Sequence, residues 1–268
     1  MMKKGRYTIA RRTTQLSILL LFISGNVFGW NVLRGNLSSA KIMNAIPLSD
    51  PLAVLQNLFT GHIAASDLFI GAAIVLLFYA ILGGRAFCAW VCPINIITDA
   101  AAGLRRSLPS VAISSWDFSR SARYWVIGIS LILSGILEIA AYESINPIGM
   151  MHRGIMYGFG TGWTYLLAIF FFDMFGVKNG FCGHLCPVGG LYAIIGRYGL
   201  LRVGYNLQQC SMCMKCLEVC PEPQVLSIVG TLSSSVRSGE CINCGRCVEV
   251  CDDNAVNFCN IYSDKLKH

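Results

Sequence analysis

The chain has 268 residues, 54% of them hydrophobic and 13% charged, with a formal net charge of +7. Soluble domains average about 25% charged residues, so the composition argues against an ordinary soluble domain and for a membrane protein. Thirteen cysteines are present, and their spacing fits reduced thiolate ligands rather than a secreted disulfide framework.

Residues 1–15 carry Lys3, Lys4, Arg6, Arg11 and Arg12 and no acid. The apolar run that follows predicts a first transmembrane helix over 16–33. Arg11-Arg12 ahead of this run resembles a twin-arginine export signal. No small-residue cleavage site follows, so an uncleaved first helix is the plainer reading. Residues 34–63 read as a loop, with Arg34, Lys41 and Asp50 charged and Pro47 and Pro51 opposing one long helix. A second span is expected over 64–82, followed by a segment with Arg85, Arg105, Arg106, Arg120 and Arg123. A third span over 124–142 leads into a short loop with Glu143, His152 and Arg153, and a fourth covers 162–177. The stretch 188–203 is too short, and too rich in glycine, to be another.

Only Arg34, Lys41 and Arg153 of the 21 basic residues fall in the two outer loops. The positive-inside rule therefore puts both termini in the cytoplasm, with four spans between them. This topology accounts for the positive charge without a nucleic-acid partner. The expected domains are a basic tail (1–15), a four-helix membrane domain (16–203) and a C-terminal cysteine-rich domain (204–268).

That last domain contains Cys210, Cys213, Cys216 and Cys220 at C-x₂-C-x₂-C-x₃-C, followed by Pro221. The pattern returns at Cys241, Cys244, Cys247 and Cys251, with Asp252 where a proline would stand. This is the signature of a ferredoxin module with two [4Fe–4S] clusters. In such modules the fourth cysteine of each run reaches the other cluster. Cys210, Cys213, Cys216 and Cys251 are therefore assigned to one cluster, and Cys241, Cys244, Cys247 and Cys220 to the other. A single zinc site needs only four ligands, so eight at this doubled spacing disfavour zinc. Cys259 has no partner pattern and is expected in the core of the last strand.

An internal repeat precedes the module. Phe87-Cys88-Ala89-Trp90-Val91-Cys92-Pro93 and Phe181-Cys182-Gly183-His184-Leu185-Cys186-Pro187 match at four of seven positions, at an offset of 94. Each copy follows an even-numbered span. The membrane domain thus reads as two repeated helical hairpins, each finishing in F-C-x₃-C-P. Cysteines four apart in a helical turn share a face. Cys88, Cys92, Cys182 and Cys186 could then form a four-thiolate metal site or two reversible disulfides, or could be small buried residues near helix ends.

Four predicted helices, two C-x₃-C-P motifs and two four-cysteine runs resemble the NapH family. Its members are membrane-bound, ferredoxin-type quinol dehydrogenase components of periplasmic nitrate reductase systems. The wider group includes MauN, NosR and the RdxA/FixG-type proteins. The resemblance covers essentially the whole chain, and its length favours NapH over NosR or RdxA/FixG. Asp252 departs from the usual proline, at a position that is not a ligand. The resemblance implies a membrane α-helical fold with a C-terminal α+β two-[4Fe–4S] ferredoxin-like domain in the bacterial inner membrane. It implies menaquinol or ubiquinol as electron donor and a periplasmic NapG-like iron–sulfur protein as acceptor. A cytoplasmic NapF-like ferredoxin is a further implied partner. The alternative, drawn from the RdxA/FixG branch, is maturation or reactivation of a metalloenzyme.

Quinol oxidation requires groups that take protons, and ionisable residues in or near spans are candidates by default. These are His62, Asp67, Glu138, Glu143, His152, Arg153 and Asp173. Glu138, expected inside the third span, and His152 are the preferred pair.

Overall fold

In the computed structural model, which describes residues 5–30, 32–61, 65–107, 119–157 and 160–261, most of the first apolar run lies in a helix that starts earlier than hydropathy predicts. Helix α1 (Arg6–Val27) begins inside the basic tail and ends before the expected boundary. The second predicted span is α3 (Ser66–Leu82), and its expected first residue, Ala64, lies outside the described residues, as does His62. The third is α6 (Ala122–Leu137). The fourth is α9 (Thr161–Phe171), which continues as a π-helical turn over Phe172–Gly176. Among the described residues, no helix is long and apolar enough to cross a membrane.

The chain divides into two compact units. One spans Leu16–Leu77 and Cys92–Leu191. Here the expected 34–63 loop is ordered as an antiparallel meander, β1 (Leu33–Gly35), β2 (Ser39–Ile42) and β3 (Ile46–Ser49), followed by α2 (Pro51–Phe59). The β1–β2 turn is closed by Asn36, whose Oδ1 accepts from the Ser38 and Ser39 amides at 2.9 and 2.7 Å. Pro47 lies in β3, and Pro51 opens α2, where its missing N–H costs nothing. Asp50 caps that helix by accepting from the Leu52 amide at 3.0 Å.

Helix α5 (Ile94–Ser107) packs on α9 and the π-turn after it. Arg105 in its last turn donates to the Gly176 carbonyl at 2.8 Å, a helix-end arrangement that suits a cation. Helices α7 (Ala141–Ile145) and α8 (Pro147–Tyr157) occupy the expected 143–161 loop. Large apolar side chains remain on the outside of the long helices, including Leu20 on α1, Ile70 and Leu77 on α3, Ile132 and Ile136 on α6, and Leu167 on α9.

The other unit combines Met1–Gln15, Phe78–Val91 and Tyr192–His268. It therefore extends beyond the expected 204–268 domain to two earlier segments. It contains α4 (Ala86–Trp90), the end of α10 (Pro187–Gly196), β4 (Leu201–Tyr205), α11 (Lys215–Val219), β5 (Ser234–Ser235), α12 (Arg246–Val250) and β6 (Val256–Asn260). The strands form an antiparallel sheet in the order β5-β4-β6, with Arg202 opposite Cys259. Cys259 is half-buried in β6, in the strand the sequence assigns it.

The core holds Val203, Tyr205, Val225, Leu226, Val236 and Val256. The early segments are locked in by specific bonds. Asn243 Nδ2 donates to the Leu82 and Leu201 carbonyls at 3.0 and 3.1 Å, and Trp90 Nε1 donates to the Asn243 carbonyl at 3.0 Å. Gly84, at φ 22°, lies so close to Tyr192 that any side chain would strike its carbonyl. This contact explains why the Gly83-Gly84 turn carries no side chain.

Candidate iron–sulfur centre

The two cysteine loops share one backbone design. Met212 and Met214 have φ of 59° and 57°, and the equivalent Asn243 and Gly245 have φ of 49° and 74°. Left-handed residues at two points of a short loop curl the chain so that successive amides converge, a nest suited to anions and iron–sulfur centres. The Met212 amide accordingly donates to Cys210 Sγ at 3.3 Å. In the second loop, the Cys241 thiol donates to Asn243 Oδ1 at 3.4 Å. Each loop runs into a five-residue helix, α11 or α12, and the two helices pack on each other. That packing brings the fourth cysteine of each run, Cys220 or Cys251, toward the opposite loop.

The thiols fall into two electrostatic groups. Cys216 is influenced by Cys210 and Cys251. Cys247 is influenced by Cys244, Cys241 and Cys220. Burial pushes the Cys220 thiol up to about 12 and Cys241 to about 11, and neighbouring thiols push both the same way. Burial likewise raises Cys216 and raises Cys247 strongly. Such crowded sulfurs become thiolates only with a cationic centre beside them, which an iron–sulfur core provides.

Cys220, Cys241, Cys244 and Cys247 also line a small enclosed cavity of about 20 Å³. The four-thiol donor set fits the cluster predicted for these residues. Among the described residues, no three His, Cys, Asp or Glu side chains converge closely enough to hold a single ion. A cubane spaces its thiolates more widely than one ion does.

The surroundings of the groups differ. In the first, Cys213 is exposed, as are Met212 and Met214. Lys215 meets Asp252 at 3.1 Å on the surface, so the residue replacing proline ties the two loops together. The second group lies beside Arg85, which is 1% exposed. Arg85 Nη1 donates to Glu222 Oε1 at 3.1 Å and to the Glu240 carbonyl at 2.9 Å. Its guanidinium partly offsets the upward displacement of Cys241, and Glu222 adds to it. Sequence reading counts Arg85 only as a topological charge and overlooks Glu222. A charged residue two positions before the F-C-x₃-C-P motif was the available signal.

The two C-x₃-C-P copies share a local order: a short helical turn, a buried cysteine and a proline leading into a helix. Cys88 lies in α4, and Cys92 precedes Pro93 and α5. Gln15, fully buried, donates to the Ala89 carbonyl at 3.0 Å and fixes the first turn. Cys182 lies in a π-turn (Phe181–Leu185), and the Cys186 amide donates to the Phe181 carbonyl at 2.9 Å. Asp173 secures that turn by accepting from the Phe181 amide at 2.9 Å, a structural role for a carboxylate the sequence offers as a proton group. Cys88 belongs to the cysteine-rich unit, and Cys92, Cys182 and Cys186 belong to the other.

Glu138 stands one residue past the end of α6, exposed, as a left-handed C-cap at φ 53° rather than inside the helix. His152 is buried in α8, edge-on to Phe22 at 5.5 Å, and burial lowers its pKa, which favours the neutral ring. Asp67 forms an exposed pair with Lys41 at 3.2 Å. Asp50 was not singled out by sequence. Its carboxyl is raised to about 6 by burial, against the lowering effect of the hydrogen bond from Tyr142. The Asp-Pro pair at a helix start signalled the cap but not the burial.

Comparison with known proteins agrees with this chemistry. A family profile described as a 4Fe-4S binding domain matches twice, at residues 67–111 and 159–206, once over each repeat. A 4Fe-4S dicluster domain matches residues 202–252. The ferredoxin-type protein NapH of Haemophilus influenzae is 44% identical over 83% of this chain and 77% of its own length. NapH of Escherichia coli is 42% identical over 84% and 79%. The methylamine utilization ferredoxin-type protein MauN of Methylorubrum extorquens is 39% identical over 90% and 84%. No solved structure matches. These likenesses, with the paired cysteine loops, give the protein an iron–sulfur electron-transfer role, and the chain belongs to the family of NapH and MauN ferredoxin-type proteins.

Proposed function

We propose that the protein is an inner-membrane electron carrier with two [4Fe–4S] clusters. It passes electrons from membrane quinol to a periplasmic iron–sulfur partner and thence to nitrate reductase. The observation that carries the two-cluster reading is the division of the thiols into the groups Cys210/Cys216/Cys251 and Cys220/Cys241/Cys244/Cys247. Cys213 completes the first by its position in the loop. When bound, each cluster supplies one-electron chemistry. The chain's own residues hold the sulfurs, donate amides to them and set the surrounding charge.

Membrane placement is supported by the low charge content, the positive-inside count and the large apolar side chains left outside α1, α3, α6 and α9. The likeness to the NapH relatives supports the branch that the sequence resemblance implies, the nitrate reductase one. In membrane vesicles containing the cluster-loaded protein, quinol is expected to reduce the clusters, and the clusters to reduce the iron–sulfur partner, without added metal. Redox-active clusters that ignore quinol would instead favour the maturation of a metalloenzyme.

A further inference from the structure

The cysteine-rich unit contains a second, larger cavity of about 480 Å³, distinct from the cluster pocket. This is within the range of about 300–1,000 Å³ usual for small-molecule sites. We propose that this cavity binds the ring of the quinol, an inference that rests on quinol being the electron donor.

Three features point to that occupant. The first is the wall. Aromatic side chains of Tyr7, Phe78, Tyr79, Trp90 and Phe258 surround the space, and flat rings stack on such surfaces. Tyr7 and Phe258 already meet edge to face at 5.6 Å. The Thr14 hydroxyl, which donates to the Ala10 carbonyl at 2.9 Å and can still accept, adds a polar atom to this apolar lining, as the sparse polar groups of ligand sites do.

The second is what lies behind the wall. Asn243 stands between Cys241 and Cys244, and its carbonyl is held by the Trp90 indole at 3.0 Å. Tyr7 covers the next turn so closely that a Cβ on Gly245 would lie 2.7 Å from its ring. A ring in the cavity therefore touches the same loop that carries the second group of thiols. The third is access. Phe78, Tyr79 and Leu82 end the second proposed span, and Thr14 lies just before the first. A lipid-borne carrier reaches a site at that position without leaving the apolar phase. A lipid acyl chain would fit the apolar wall, but it gains nothing from aromatic faces set beside a redox loop.

The test uses the full-length, cluster-loaded protein in detergent. Binding of 2,3-dimethyl-1,4-naphthoquinone and of decylubiquinone is measured by isothermal titration calorimetry, with palmitate as competitor. Ala86→Phe fills the cavity from α4, and Leu201→Trp fills it from the half-exposed rim on β4. Wild-type protein is expected to bind at least one quinone. Both filled variants should weaken binding by tenfold or more, with iron content and cluster spectra unchanged. Thr14→Val should weaken it less. No quinone binding by the wild type, undiminished binding in a folded filled variant, or displacement by palmitate at equal concentration would each overturn the assignment. Reduction of the clusters by quinol separates this from the wider reading. If quinol reduces wild type and both filled variants equally, the pocket is wrong and the donor right. If quinol reduces none of them, the donor is wrong.

Discussion

The loops Cys210–Cys216 and Cys241–Cys247 have the same cysteine spacing and left-handed residues at equivalent positions, yet they stand in different environments. The first exposes Cys213 and two methionines and is flanked by a surface ion pair. The second is enclosed, beside a buried guanidinium and carboxylate. Spacing specifies which sulfurs gather, whereas distant segments specify the charge and exposure around them. An exposed loop suits exchange with a mobile partner. A buried one suits a centre whose potential the protein sets.

The comparison can be broken most forcefully at the ligands. Cys213→Ala and Cys244→Ala should each remove about half the bound iron, from different clusters. Only Cys244→Ala should also lower the unfolding midpoint markedly, because its sulfur is buried. Iron analysis with chemical denaturation checks both. Equal stability losses would mean that the environments are equivalent.

Next in size is Arg85→Met, which removes the cation facing the buried Glu222 carboxylate while leaving its bond from Gln224 Nε2 at 2.9 Å. Breaking such a pair costs about 3–5 kcal/mol, and Arg85→Met with Glu222→Leu should recover most of it. In redox titrations the single variant should lower the midpoint potential of the second cluster and leave the first unmoved, because a nearby cation favours the added electron.

Gly245→Ala and Met214→Gly sharpen the contrast within the shared backbone. Alanine at φ 74°, facing Tyr7, should destabilise by about 1–2 kcal/mol. Glycine for Met214, already left-handed, should be neutral or stabilising by up to about 1 kcal/mol. Equilibrium denaturation in parallel separates the two. The smallest effect is expected from Lys215→Ala. Its partner Asp252 is exposed, so unfolding should be indistinguishable from wild type in moderate salt.

Local patterns were legible in the sequence. The two four-cysteine runs inside the dicluster match, the repeated F-C-x₃-C-P and the helix over Ser66–Leu82 all follow from spacing or hydropathy within a short window. What escaped depends on partners far along the chain. Arg85 reads as a cytoplasmic charge until Glu222, 137 residues later, is seen to neutralise it. The β1–β3 meander escaped because its strands have only three or four residues, too few to show alternation. Glu138 looked intramembrane because apolar residues flank it, but the helix ends at Leu137. The domain boundary expected at 204 missed that Phe78–Val91 is part of the cysteine-rich unit.

Strand β4 pairs with β6, while Asn243 bonds to Leu82 and Arg85 to Glu222. The unit is therefore assembled from pieces translated at widely separated times, and its buried sulfurs cannot be enclosed until β6 has left the ribosome. A cluster held by these sulfurs would have to arrive before or during that closure. A gene fragment encoding only residues 204–268 would yield a chain lacking Arg85, Ala89 and Trp90, which pack against the Glu240–Cys244 loop.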